Sequence, residues 1–334
     1  LQLSPSLNSN KFSHLWTETN TGVIMSYIFG PVPSRRLGLS LGVDLIPHKT
    51  CTFDCLYCEV GRTTNRTITC RPFAPVDEIL RQLAGRLAEC SPDVITLAGS
   101  GEPTLHSEIH HIISGIRELT DTRIAILTNG SLFWDGAVRK RVLGADLIMP
   151  TLSSAVSSTF QTIHRPHADL TLDRIVGGLK QLRAEFDGLI YLEVILLAGI
   201  NDTEEEMRPL KPLIRQVEPE KIQLNTVVRP PADVCAKALD GKRLEEITLF
   251  LGEGAEIVVD IGAAQGAMAR DTKAKGLLEM VRRRPLRLKD IANSMGLSID
   301  EVESMVKGLL IKGYLRRQDH SGEIFYMGNE VDRS

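Results

Sequence analysis

From Leu39 onward the chain alternates short apolar runs with stretches of helical periodicity, and that alternation leaves few folds open to it. The runs are residues 39–45, 94–98, 124–128, 147–152, 190–197 and 222–228. Between the first two, Val76, Ile79, Leu80, Leu83 and Leu87 recur at three- and four-residue spacing, the stripe of a helix packed on a sheet. Strands apolar along their whole length, each followed by a helix, predict a parallel sheet covered by helices. Six such units build either an open doubly wound sheet or a partial barrel, and burial alone does not choose between them. A seventh run, 256–261, is expected to close the edge. Asp202 followed by Glu205 predicts a capping box on the helix after the fifth run.

The pattern changes near residue 271. Leu277, Leu278 and Val281 mark one helix, Leu288, Ile291, Ala292 and Met295 a second, and Val302, Met305, Val306, Leu309 and Leu310 a third, which Ser298 and Glu301 are expected to cap. Strand-like segments 314–317 and 324–327 flank a turn at Ser321-Gly322. Three helices and a hairpin resemble a winged helix. The expected organisation is a disordered leader over 1–25, a main α/β domain over 26–262 and a winged-helix-like domain over 271–330, with the small residues 262–269 as a linker. The leader is rich in Ser, Asn and Thr and lacks both an apolar signal core and an Arg-rich amphipathic face, and Met25 is the expected natural start. Truncation after about residue 270 is expected to leave the main domain intact, because the two apolar patterns are separate.

A chain of 334 residues suits a barrel of about 200 to 250 residues with a small appended domain. No apolar run approaches the ~20 residues that span a bilayer, so no membrane association is expected. Six cysteines are too few for a secreted disulfide scaffold of this length, and a reducing, cytoplasmic setting is expected. The net charge of -3 provides no global attraction to nucleic acid.

Three of the cysteines lie within eight residues, in Cys51-Thr52-Phe53-Asp54-Cys55-Leu56-Tyr57-Cys58, directly after the first predicted strand. Thiolates at CxxxCxxC spacing suit three irons of a [4Fe-4S] cluster, leaving one iron open to another ligand. A structural zinc site with His48 as fourth ligand, or three unrelated buried thiols, are the competing readings. Zinc knuckles usually pair two halves, and no second half occurs here. Cys70, Cys90 and Cys235 are scattered and read as ordinary packed thiols.

The cysteine spacing, with an aromatic just before the third cysteine, resembles the signature of the radical S-adenosylmethionine (SAM) superfamily. That resemblance implies a partial (β/α)6 TIM-type barrel, a [4Fe-4S] cluster on Cys51, Cys55 and Cys58, and SAM chelated at the open iron. It implies reductive cleavage of SAM to methionine and a 5′-deoxyadenosyl radical that abstracts hydrogen from a substrate, with flavodoxin or ferredoxin as electron donor. It assigns Tyr57 to the adenine of SAM. Gly99-Ser100-Gly101-Glu102, just after the second strand, looks like the Gly-Gly-Glu stretch that receives the SAM ammonium group, since glycines expose backbone to a charged ligand. Neither Gly101 nor Glu102 is a cluster ligand, so substitution there is expected to weaken SAM binding with iron content near normal. Asn129, Thr151, Ser153 and Glu193 stand at further strand ends and are the remaining cofactor contacts implied; a carboxylate inside Tyr191-Leu192-Glu193-Val194-Ile195 needs either a ligand or an ion-pair partner. No catalytic residue is assigned.

Gly30-Pro31-Val32-Pro33-Ser34-Arg35-Arg36, Ile163-His164-Arg165-Pro166-His167 and Val228-Arg229-Pro230-Pro231, taken with the two loops above, resemble the wyosine-synthase-like group of this superfamily over roughly residues 26–235. This implies an RNA base as substrate, against a protein or small molecule. Two departures stand out: no cysteine precedes Cys51 to hold a second cluster, and Thr151-Leu152-Ser153-Ser154 replaces the group's Ser-Leu-Asp-Ala. Arg282, Arg283, Arg284, Arg287, Lys289, Arg316 and Arg317 are candidate phosphate contacts on the tail, although Asp300, Glu301 and Glu303 at the start of the third helix disfavour insertion into a major groove. The non-catalytic alternative is an iron-sulfur regulator using the tail as a binding module.

Overall fold

The computed structural model describes residues 26–258 and 273–329; the expected leader and the expected linker lie outside the described residues. Six parallel strands form the centre of one sheet: β2 (Gly38–Val43), β5 (Val94–Leu97), β6 (Arg123–Thr128), β7 (Leu147–Pro150), β8 (Leu189–Leu196) and β9 (Lys221–Thr226). Helices follow each strand: α1 (Val76–Leu87), α2 (Ile109–Leu119), α3 (Gly136–Val142), the pair α4 (Ser157–His164) and α5 (Leu172–Glu185), α6 (Glu204–Val217) and α7 (Gly241–Leu251). Buried strand residues such as Ile95, Leu97, Ile126, Ile148 and Leu192 meet Ile79, Leu83, Ile112, Ile116 and Leu179 from the helices in one apolar core. The predicted α/β class and parallel sheet are therefore present, with the six strand-helix units of a partial barrel.

Two edge strands extend the sheet. β10 (Ala255–Ile257) pairs parallel with β9, on the predicted seventh run up to the end of the described residues. β1 (Ile28–Ser34) pairs antiparallel with β2, and sequence patterning did not reveal it. Its prolines, Pro31 and Pro33, remove ladder donors and so argue against a strand, but an edge strand bonded on one side tolerates them. Gly42 lies opposite Phe29 in this pair, where any Cβ would overlap the Phe29 ring.

The expected Asp202–Glu205 capping box is not formed. Thr203 is the N-cap of α6 without a side-chain bond, and Asp202 Oδ1 instead accepts the Gly199 amide at 2.9 Å, closing the preceding turn.

The C-terminal segment comprises α8 (Lys273–Arg283), α9 (Leu288–Met295), α10 (Ile299–Ile311) and an antiparallel hairpin of β11 (Leu315–His320) with β12 (Glu323–Gly328). The capping box predicted for α10 is present: Ser298 Oγ accepts the Glu301 amide at 3.3 Å, and Glu301 Oε2 accepts the Ser298 amide at 3.0 Å. Ser298→Ala should lower the stability of this segment by about 1 kcal/mol. An unchanged thermal midpoint would show that the end of α10 contributes nothing.

The separate apolar patterns did not predict how closely this segment joins the barrel. Val32 of β1 belongs to the same buried cluster as Leu277, Val281, Ile291, Met295 and Tyr326. Arg283 lies over the Phe29 ring at 4.6 Å, donates from Nη2 to the Ser26 carbonyl at 2.6 Å and from Nε to Asp44 Oδ2 at 3.2 Å. Truncation after residue 270 would uncover β1 and unpair Asp44, contrary to the expectation of an intact main domain.

Candidate cluster and SAM site

The cysteine loop follows β2 and is held from three directions. β3 (Thr50–Cys51) pairs with β4 (Asn65–Arg66). The 163–167 motif supplies a second clamp: Leu56 N–H donates to the Ile163 carbonyl at 2.9 Å, Asp54 N–H to the His164 carbonyl at 3.0 Å, and His167 N–H to the Thr52 carbonyl at 2.8 Å. The third is the glycine-rich loop after β5. Lys49 N–H donates to the Ser100 carbonyl at 2.9 Å and Glu102 N–H to the Thr50 carbonyl at 3.3 Å. A Cβ on Gly101 would overlap the Thr50 carbonyl oxygen, so this position needs glycine for close approach of the two loops.

Each thiol has a distinct polar neighbour. Asn129 Nδ2 is 3.6 Å from Cys51 Sγ, His164 Nδ1 is 3.4 Å from Cys55 Sγ, and Lys49 Nζ is 3.8 Å from Cys58 Sγ while also donating to the Gly61 carbonyl. Burial, reinforced by Glu102, pushes the Cys51 thiol up to about 12, and burial with the other two thiols raises Cys55 well above the usual thiol range. These are thiols whose thiolate form needs a cation beside it. Among the described residues, no group of three His, Cys, Asp or Glu side chains gathers around a single-ion position. Three thiols, each with its own polar neighbour, suit a cube that takes each thiolate on its own iron.

His164 is a site residue whose motif was noticed but whose role was not. It is 1% exposed, burial pulls its pKa down to about 3, and the neutral ring stands between Cys55 Sγ and Tyr57 Oη, the latter 3.4 Å from Nδ1. Phe53 and Phe160 pack on the same ring at 5.2 and 5.0 Å. Tyr57 thus stands beside the cluster loop, its phenol raised well above the ordinary range by burial and by Cys55 and Glu193 nearby. Lys49, 5% exposed with a φ of 62°, was also missed; nothing in the sequence distinguished it from a surface lysine.

The glycine-rich loop is shaped mainly by its own bonds. Glu102, 2% exposed, accepts from Thr104 N–H at 3.1 Å, Thr104 Oγ1 at 2.6 Å, Thr128 Oγ1 at 2.6 Å and Asn129 N–H at 2.8 Å. Burial raises its pKa and these donors oppose the rise. The carboxylate therefore ties the ends of β5 and β6 together. Ser100 is likewise engaged, its N–H and Oγ donating to Asp44 at 3.0 and 2.6 Å, and Gly99 at φ 138° has no room for a side chain against Asp44. Two of the loop's carbonyls are engaged as well, that of Ser100 by the Lys49 amide at 2.9 Å and that of Glu102 by the Leu105 amide at 3.2 Å.

The remaining predicted contacts divide. Asn129 donates to Thr52 Oγ1 at 2.7 Å and lies between Cys51 and Glu102, at the junction of both loops. Thr151 Oγ1 donates to Glu193 Oε2 at 3.2 Å. Glu193 is ion-paired with Arg36 at 2.5 Å and also receives Asn225 Nδ2 at 3.4 Å, so its charge is answered within the protein. Ser153 is fully buried and its hydroxyl accepts the Ile195 amide at 3.0 Å, which ties the end of β7 to β8.

Of the tail's candidate phosphate contacts, Arg283 pairs with Asp44, Arg287 with Asp290 and Glu323, and Lys289 with Glu323. Arg316 and Arg317 are exposed on β11.

A sequence model described as the Radical SAM superfamily matches residues 45–209, the stretch carrying both loops. The solved structure of Streptococcus suis SuiB bound to precursor peptide SuiA shares the fold, with TM-score 0.51 and 14% identity over 66% of this chain and 49% of that one. A UPF0026 protein of Methanocaldococcus jannaschii is 34% identical over 322 residues, 92% of this chain and 98% of that protein. The chain belongs to the UPF0026 family and carries a radical SAM domain. A Brachyspira hyodysenteriae protein named GTPase Obg is also 34% identical over 327 residues, 97% of this chain but 47% of that protein, so the chain spans about half of that relative's length.

Proposed function

We propose that this chain is a radical SAM enzyme in which Cys51, Cys55 and Cys58 hold a [4Fe-4S] cluster and the Gly99–Glu102 loop receives SAM. The observation that carries this reading is the direct bonding of the two loops through Lys49, Thr50, Ser100 and Glu102. It brings a three-thiol loop and a glycine-exposed backbone to the same sheet ends. When bound, the cluster and SAM supply a 5′-deoxyadenosyl radical able to abstract hydrogen from a substrate. The protein's part is placement. His164 stays neutral and fixes Tyr57 beside the cysteine loop, Asn129 links Cys51 to Glu102, and Glu102 keeps the β5 and β6 ends together.

An electron donor such as flavodoxin or ferredoxin and a cytoplasmic, reducing setting belong to this reading. Among the described residues no helix is long and apolar enough to cross a membrane. An RNA base remains the substrate favoured by the group resemblance. With Arg283, Arg287 and Lys289 engaged by carboxylates, the tail lends that choice less electrostatic support than its composition promised.

Added SAM should perturb the electron paramagnetic resonance spectrum of the reduced, cluster-loaded protein, and strong reductant should release methionine and 5′-deoxyadenosine. Stoichiometric zinc without iron absorption in anaerobically purified protein, or a loaded cluster that leaves SAM uncut, would remove the proposal. The second outcome would favour a non-catalytic iron-sulfur regulator.

A further inference from the structure

Among the described residues, the seam between the C-terminal segment and the barrel holds more positive charge than its carboxylates answer. Arg229, 9% exposed, places Nη1 3.0 and 3.1 Å from the two oxygens of Glu59, while its buried Nε has no hydrogen-bond partner among the described residues. Arg284, just beyond α8, is half-buried; its charged neighbours are Arg229, Glu59, Asp290 and Arg35, yet none of them is joined to it by a hydrogen bond or ion pair. Arg35 reaches in from the β1–β2 turn and donates to Asn225 Oδ1 at 3.2 Å. Arg36 next to it is paired with Glu193, and Asp290 is already paired with Arg287. Among the described residues, five guanidiniums, Arg35, Arg36, Arg229, Arg284 and Arg287, therefore meet four carboxylates, Glu59, Glu193, Asp290 and Glu323, and Lys289 also draws on Glu323.

Crowded, desolvated cations raise one another's free energy unless an anion joins them. Burial and the neighbouring Arg229 pull Arg284 down to about 10, and the same causes lower Arg35. The seam lies beside the reaction site as read above: Glu59 directly follows Cys58, and Arg35 connects through Asn225 and Glu193 to Thr151. Guanidiniums present flat, forked donors matched to a phosphate.

We infer that Arg35, Arg229 and Arg284 form a subsite for a phosphate group carried by the substrate, shared between the barrel and the C-terminal segment. Attributing that phosphate to a substrate rests on the radical SAM reading; the anion site itself does not.

The test is calorimetric titration of the full-length, cluster-loaded protein with inorganic pyrophosphate at fixed ionic strength, alongside separate titration with SAM. Pyrophosphate should bind the unaltered protein. Arg284→Gln and Arg35→Gln should each weaken it by about tenfold or more, the scale of one charge-assisted hydrogen bond, with Arg284→Lys intermediate and SAM affinity retained. No pyrophosphate binding by the unaltered protein overturns the inference, whatever the folding of the variants. So does equal binding by the glutamine variants, or a parallel loss of SAM affinity, which would assign the arginines to the SAM carboxylate. Failure of the radical SAM reading shows elsewhere, as absent SAM cleavage, because the titration needs no turnover.

Discussion

Replacing Cys51, Cys55 or Cys58 by Ala should abolish iron loading in anaerobically reconstituted protein and, with it, all SAM cleavage. About four irons per chain should load into the unaltered protein, because one cysteine set has cluster spacing. Each thiol has its own neighbour, Asn129, His164 or Lys49, so none of the three substitutes for another. Cys90 is the internal control. Its thiol donates back to the Arg86 carbonyl at 3.2 Å at the end of α1, and Cys90→Ala should leave iron content and cleavage unchanged. Retention of a full cluster in any of the three loop variants would disprove the ligand assignment.

The second large effect belongs to Gly101. From sequence, Gly101→Val should reduce SAM binding while sparing the cluster; the packing reverses the second half of that expectation. The new side chain must displace Thr50, whose carbonyl also accepts from Glu102 and whose next residue is Cys51. Overpacking costs about 1–3 kcal/mol or more here, since the nearest obstacle is the Thr50 backbone carbonyl, which cannot swing aside as the Ile46 side chain could. Iron content and SAM affinity should therefore fall together. Gly85→Ala, in α1 with nothing within 4 Å of the added methyl, should be neutral or gain about 0.5–1 kcal/mol. Normal iron content in Gly101→Val, measured beside Gly85→Ala, would show that the two loops are not coupled.

What the sequence revealed and concealed follows from the range of each interaction. The six central strands were legible because they are apolar along their length, as in Val94–Leu97, which is buried throughout. β1 was hidden by its prolines, whose tolerance depends on an edge position that patterning does not report. The cysteine and glycine loops were legible because their chemistry is local. Partners distant in the chain were not. Glu193 was expected to meet either a ligand or an ion pair, and its partner Arg36 is 157 positions away. Ser153 looked like a strand-end hydroxyl, but its orientation toward the Ile195 amide depends on how β7 and β8 are placed. The pairing of Arg283, Arg287 and Lys289 was hidden for the same reason: composition counts arginines and lysines but not the carboxylates folded against them.

Asp44 joins Arg283 of the C-terminal segment to Ser100 of the glycine-rich loop through the two oxygens of one carboxylate. Thermodynamic reciprocity makes that connection run both ways. Whatever free energy the docked segment contributes to ordering the loop, a molecule that orders the loop returns to the docking. On the proposed reading, the C-terminal segment and the loop that receives SAM would be joint determinants of one affinity. A ligand seated at Gly99–Glu102 would be felt as added resistance to unfolding at Val281 and Tyr326, residues that never touch it.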